Sequence, residues 1–249
     1  MELPGIPYEK IEDFKAFIAK EGMVTGGTGS RVRPVVACKG TTCVFGLYDT
    51  QALAKEIHER FYVGYAGVTL PHKFKIAVGG CPNNCMKPDL NDLGIVGQRV
   101  PKFDPEKCRS CKKCSVETSC PMKCVSAEGG KPVFDSSVCN NCGRCLKACP
   151  FGAMEETETL YKVYVGGRWG KQVRMGTPLN RLFTREEVLD IVEKAILLFK
   201  SKGETGERFG STVERLGIQK VEKMLVSDNL LKAQRKRSWS RKPSAASSC

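Results

Sequence analysis

Cys139, Cys142, Cys145 and Cys149 form the run C-x2-C-x2-C-x3-C, closed by Pro150. Three thiolates on one tight loop can take three corners of an iron–sulfur cubane, while the fourth, past the turn, reaches a neighbouring cluster. The proline ends the loop where a helix would otherwise continue. Cys108, Cys111 and Cys114 begin a second copy, whose Cys120-Pro121 falls two residues later than the rule. The expected wiring puts Cys108, Cys111, Cys114 and Cys149 on one [4Fe–4S] cluster. Cys139, Cys142, Cys145 and Cys120 take the other, with Cys124 able to replace Cys120. A zinc ribbon is the competing reading, but it asks for two Cys-x-x-Cys pairs rather than two triplets with a trailing Cys-Pro. Such clusters carry single electrons, so this segment reads as a wire and not as the place of chemistry.

Two further pairs stand outside it: Cys38 and Cys43 in ACKGTTC, Cys81 and Cys85 in GGCPNNC. Each pair sits at the end of a predicted strand, so four thiols from two strand-end loops can converge on a third cubane. Buried structural cysteines or a zinc site are the alternatives, yet core cysteines do not usually pair off in Gly/Pro/Asn-rich loops. Only His58 and His72 are present, which argues against a mainly histidine-ligated centre and leaves thiolate ligation of zinc or iron–sulfur.

Fourteen cysteines in 249 residues mean disulfides or metal, depending on compartment. The N-terminus MELPGIPYEK has neither the basic region nor the apolar stretch of a secretory signal. The expectation is a cytoplasmic chain whose cysteines hold metal. No run of eighteen apolar residues occurs, so no membrane span is expected. The formal charge of +13 suggests nucleic acid at first sight. However, Lys232, Arg235, Lys236, Arg237, Arg241 and Lys242 of the tail supply much of it. Each oxidised four-thiolate cluster adds about −2, so three bring the total to roughly +7. No nucleic-acid partner is expected of the folded body.

The elements that must position these thiols are short. Residues 8–21 read as an amphipathic helix with Ile11, Phe14, Phe17 and Ile18 on one stripe and Gly22 as C-cap. TGGTGSR is a glycine loop without dinucleotide-fold spacing. Residues 32–38 and 73–78 read as strands; in the second, Phe74, Ile76 and Val78 share one face and Lys73 and Lys75 the other. Asp49 or Thr50 caps a helix through 61, with Leu53, Ile57 and Phe61 on its inner face. Short strands follow at 93–97 and 161–167, their direction left open. Thr184 with Glu187 and Ser211 with Glu214 form two capping boxes, the second for a helix to about Leu225. The expected organisation is an α+β body, residues 1–100 and 158–231, interrupted by a dicluster module at 101–157. Residues 232–249 follow as a basic disordered tail.

ACKGTTC, PHKFKIAVGGCPNNC and NDLGIVG together resemble the sirohaem-containing sulfite and nitrite reductases. The likeness is greatest to the small anaerobic members, which carry a dicluster ferredoxin inserted in the sirohaem domain. It runs from about residue 3 to about residue 232. It implies that Cys38, Cys43, Cys81 and Cys85 hold a [4Fe–4S] cluster and that Cys85 also bridges to sirohaem iron. Gly79, Gly80, Asn83 and Asn84 would give the bridge close backbone approach and small polar contacts, with Arg31 near the cofactor's carboxylates. Arg33, Lys73 and Lys75 match the family's substrate-binding cations, which stabilise an oxyanion and supply protons. ACKGTTC has four residues between its cysteines where many members have five, and Met1 falls just after the place where the family's N-terminal half would end. The implied activity is six-electron reduction of sulfite or nitrite, with electrons entering through the ferredoxin clusters from a donor protein or reductase subunit. A homo- or hetero-oligomer is compatible with this. A non-catalytic electron-transfer subunit without sirohaem is the alternative.

Overall fold

The computed structural model describes residues 3–236. Its centre is a mixed five-stranded sheet. β1 (Val36–Ala37), β2 (Ile76–Gly79) and β3 (Leu93–Gln98) are parallel neighbours. Two antiparallel strands from late in the chain, β8 (Leu160–Val165) and β9 (Thr177–Pro178), complete it in the order β1-β2-β3-β8-β9. Between β3 and β8 the chain leaves the sheet and builds β4 (Lys102–Phe103), α3 (Ser115–Ser119), the β5 (Val125–Glu128) and β6 (Lys131–Phe134) hairpin, and β7 (Met154–Glu155), which pairs with β4. This segment has its own small core of Val116, Val125, Leu146 and Met154.

Helices cover one sheet face. α1 (Ile11–Ala19) leads, and Gly22 behind it takes a left-handed φ of 66°. Of the predicted stripe only Ile18 is buried and Phe17 is 66% exposed, so α1 lies on the surface instead of in the core. α2 (Thr50–Ile57) starts where Asp49 accepts the Ala52 N–H at 2.9 Å, then widens into a π turn over His58–Val63. α4 (Arg185–Lys202) opens with the expected Thr184/Glu187 capping box. Phe74 of the sheet edge, Phe199 of α4 and Phe209 meet with ring centroids 5.1–5.9 Å apart. Phe74, Ile76 and Val78 all point into this core.

Four expectations are corrected. The strand expected over 32–38 is ordered as strand only at Val36–Ala37, because Pro34 offers no N–H; upstream, Val32 bridges Phe74 alone. Ser211 does not cap a helix. α5 (Phe209–Leu216) begins two residues earlier, where Phe209 and Gly210 are buried, and Glu214 instead pairs with Arg174 at 2.7 Å. Gly217, at φ 81° and ψ 134°, then breaks the expected single helix, and α6 (Ile218–Val226) follows. α7 (Asn229–Lys236) runs past the expected tail boundary at Lys232; the rest of the tail lies outside the described residues.

The other sheet face is covered by a single 3-10 turn among the described residues. After GGCPNNC the chain turns back across it as a tight turn at Pro88–Leu90 and re-enters as β3. Glycines make room for it. A β-carbon on Gly94 would stand 2.3 Å from the Pro88 carbonyl oxygen, and one on Gly167 2.3 Å from that of Asp89. This covering turn is the crossover that joins parallel β2 and β3.

Candidate functional site

Parallel pairing of β1 with β2 brings their C-terminal ends to one edge of the sheet. Cys38 follows β1 directly, and its N–H donates to the Val78 carbonyl at 3.0 Å. Cys81 follows β2 after Gly80, whose N–H donates to Cys38 Sγ at 3.1 Å. The two loops cross back to back: a β-carbon on Gly80 would lie 2.9 Å from Gly40 Cα and 3.3 Å from Cys38 Sγ. The fully buried Thr50 hydroxyl donates to the Cys38 carbonyl at 2.8 Å and accepts from Thr41 N–H at 3.2 Å. Asn84, at φ 54°, turns the GGCPNNC loop so that its N–H returns to the Cys81 carbonyl at 3.2 Å.

Burial pushes the Cys81 thiol up; the neighbouring Cys85, Cys38 and Cys43 push it further, while the Asn83 N–H opposes them. The four cysteines therefore share one electrostatic field. Four thiolates this close repel unless a cationic core sits among them, which is what a cubane provides. Cys85 is exposed, free to face a second group, and Asn84 Oδ1 beside it is buried without a hydrogen-bond partner.

The segment between β3 and β8 is a two-fold repeat. Phe103 and Asp104 stand before Cys108 as Phe134 and Asp135 stand before Cys139. Each aspartate accepts a backbone N–H two residues on, from Glu106 and Ser137, at 2.9 Å in both copies. Ser110 and Asn141 share left-handed φ values of 48° and 56°. Two cavities result. Cys108, Cys111, Cys114 and Cys149 line one; Cys120, Cys124, Cys139, Cys142 and Cys145 line the other. Burial, then Cys142 and Cys139, push Cys145 up to about 11, again the mark of crowded thiols. Among the described residues no three ligating side chains are set for a single metal ion.

A third cavity of about 680 Å³ joins the two regions. Val44–Leu47, Cys81, Pro82 and Asn83 line it from the sheet side, and Met122, Asn140, Cys142, Arg144 and Lys147 from the module. Polar contacts fix this joint. Asn141 Nδ2 donates to the buried Gln98 Oε1 at 3.0 Å, Arg99 N–H donates to the Asn141 carbonyl at 2.8 Å, and the Arg144 guanidinium lies 5.3 Å from the Phe45 ring centroid. None of Gln98, Arg99, Asn141, Arg144 and Phe45 was among the predicted site residues, because nothing in their local sequence marks the partner across the gap.

The cationic residues gather elsewhere. Arg33, Lys73 and Lys75 lie at the N-terminal ends of β1 and β2, and Lys75 stands five residues, ~16 Å of extended chain, before Gly80. Along the strands they stand at the opposite end from the cysteine loops. Around them are His72 and Arg208, which sequence reasoning missed. Arg208 donates to both carboxylate oxygens of the fully buried Asp92 at 3.0 and 3.1 Å, and Asp92 also accepts the Lys75 N–H at 2.9 Å. Burial lowers Lys73, and Arg208, Lys75 and Arg33 lower it further. Burial likewise lowers His72, helped by Arg208, Lys73 and Arg33, so the imidazole is neutral near pH 7. Arg33 is half-buried, bonds the Gly27 carbonyl and leaves Nε without a partner; Arg31 is exposed. Unpartnered guanidinium N–H groups beside the half-buried Lys73 and the exposed Lys75 are an anion-binding arrangement.

Parallel strand ends carrying clustered thiols, with a repeat of ferredoxin spacing docked beside them, define an iron–sulfur protein. Residues 28–232 match the family model described as the nitrite and sulphite reductase 4Fe-4S domain, and the chain belongs to that family. It is 36% identical over 222 residues to the coenzyme F420-dependent sulfite reductase of Methanocaldococcus jannaschii, covering 88% of this chain and 35% of that protein. It is 32% identical to an uncharacterised protein of the same organism, covering 86% of this chain and 72% of the relative. The fold matches the crystal structure of dissimilatory sulfite reductase I at a TM-score of 0.67 and 23% identity, covering 87% of this chain and 57% of that one. The chain thus spans about a third of the length of its F420-dependent relative. Among the described residues no helix is long and apolar enough to cross a membrane.

Proposed function

We propose that this chain is the cluster-bearing core of a reductase that delivers electrons to a small oxyanion, sulfite or nitrite. The observation that carries the reading is the gathering of Cys38, Cys43, Cys81 and Cys85 at one sheet edge, beside a cavity that also exposes Cys142. Those four thiolates would hold one [4Fe–4S] cluster, and the module of residues 101–157 would hold two more. Within the repeat Cys120 corresponds to Cys149, since each precedes a proline, so Cys120 is read as the fourth ligand of the second cluster.

Cys142 and Cys81 line one cavity, and no cysteine of the Cys108 group does. The cluster of Cys120, Cys139, Cys142 and Cys145 is therefore the proximal one, and that of Cys108, Cys111, Cys114 and Cys149 the distal one. Exposed Arg109, Lys112 and Lys113 surround the distal site and suit an acidic electron-donor protein or subunit. Electrons would pass singly from distal to proximal cluster and on to the body cluster.

Sirohaem, when bound, supplies an iron that holds the substrate's sulfur or nitrogen and passes electrons to it. Cys85, exposed at this edge, would be the thiolate that holds it beside the cluster, with Asn83 and Asn84 as small polar neighbours. Arg31 is exposed and can meet a carboxylate of the cofactor. Arg33, Lys73 and Lys75 would hold positive charge against the anion, and Lys73, whose amine is shifted toward its neutral form, would donate protons as S–O or N–O bonds break. The test is an anaerobic absorption spectrum with iron and acid-labile sulfide counts. About thirteen irons per chain with chlorin-type bands are expected, three cubanes plus one sirohaem. About twelve irons and no chlorin bands after adding sirohaem would leave an electron-transfer protein.

A further inference from the structure

The proximal cavity holds five thiols where the repeat calls for four. Asp104 N–H donates to the Ala153 carbonyl and Asp135 N–H to the Cys124 carbonyl, both at 2.8 Å. Lys123 and Gly152 just before them share φ values of 51° and 69°. Cys124 thus occupies in one copy the place that Ala153 occupies in the other, and both are buried. Cys124 Sγ lies 3.4 Å from Cys120 Sγ, within reach of an S–H···S hydrogen bond.

We propose that Cys124 is not a ligand but a thiol that donates its hydrogen to the Cys120 sulfur, setting the proximal cluster at a higher reduction potential than the distal one. This rests on the cluster assignment proposed above. A hydrogen bond to a ligand sulfur draws charge off the cluster and favours the reduced, more negative state. The distal copy has only the Ala153 methyl at this place. One electron arriving at the distal cluster then runs downhill to the cluster facing Cys81, with no bond made or broken.

Redox titration of the anaerobic holoprotein, followed by electron paramagnetic resonance and paired with iron counts, tests it. Cys124→Ala should keep the full iron count and move one midpoint, and only one, to lower potential. Cys124→Ser, which keeps a donor, should restore the midpoint to the wild-type value or above. Unchanged midpoints in Cys124→Ala overturn the proposal, as does a serine variant that falls as far as the alanine one. A loss of about four irons in Cys124→Ala, matched by a full count in Cys120→Ala, would make Cys124 the ligand and also overturn it. Wild-type protein with sulfide-free iron or none would instead sink the cluster assignment itself.

Discussion

Lys73 shows how one side chain's surroundings fix the pH range of a site. Burial and the charges of Arg208, Lys75 and Arg33 all favour its neutral amine, and only Asp92 opposes them. A depressed lysine is charged below its own pKa and loses its proton at lower pH than a free lysine. Oxyanion binding through Lys73 should accordingly weaken as pH rises, with a midpoint below 10.5, the ordinary lysine value. Lys73→Arg keeps the cation to higher pH, so its affinity for sulfite should stay flat over the same range. Equilibrium binding of sulfite across pH 7 to 10 reads the difference, and parallel curves for the two proteins would remove Lys73 from the site. His72 adds no charge in that range, because its own proton is lost below the usual histidine value.

Elements differ in how far they depend on one residue. The turn at Pro88–Leu90 lies so close to β3 that Gly94→Ala drives a methyl into backbone. Overpacking of this kind costs about 1–3 kcal/mol or more. The same crossover positions Cys81 and Cys85, so iron content should fall along with Tm. Thr184→Ala is the contrast: losing the cap of α4 costs about 1 kcal/mol and lowers Tm by ~2–4 °C. Iron content should be unaffected there, since the Thr184/Glu187 capping box carries no thiol. A Gly94→Ala protein with its full iron complement would show that the crossover does not hold the cysteine loop. The sequence made α4 plain through its capping box, and the cysteine spacings located every thiol loop. It could not show that Phe17 would lie bare or that Arg208 would reach Asp92. Those outcomes depend on contacts between elements far apart in the chain, and local pattern carries no record of them. Ser211 and Glu214 had the right spacing for a box, but burial of Phe209 and the pull of Arg174 on Glu214 decided otherwise.

At the scale of the whole molecule, the joint between sheet and module would decide whether the three proposed clusters act as one wire. It is small. Gln98 is buried at the end of β3 and its side-chain oxygen has Asn141 as its partner across the joint. Asn141 belongs to the loop that carries Cys139 and Cys142, so its amide helps set where those thiols, and the proposed proximal cluster, stand relative to Cys81. Asn141 also needs its left-handed backbone, at φ 56°, which asparagine tolerates better than most residues. Gln98 offers a cleaner cut, because its backbone is ordinary strand. Gln98→Leu removes the acceptor, leaves the Asn141 amide unpaired at about 1–3 kcal/mol, and touches no thiol. All three clusters should still assemble, with the wild-type iron count. Reduction of the body cluster after rapid mixing with dithionite should slow while reduction of the module stays fast, because only the distance between them has been loosened. If both phases keep their wild-type rates, Arg99 and the Arg144–Phe45 contact hold the joint unaided, and Gln98 merely fills space. If the module loses iron instead, the joint is part of the module's own fold, and the two regions are one folding unit rather than a body with an insertion.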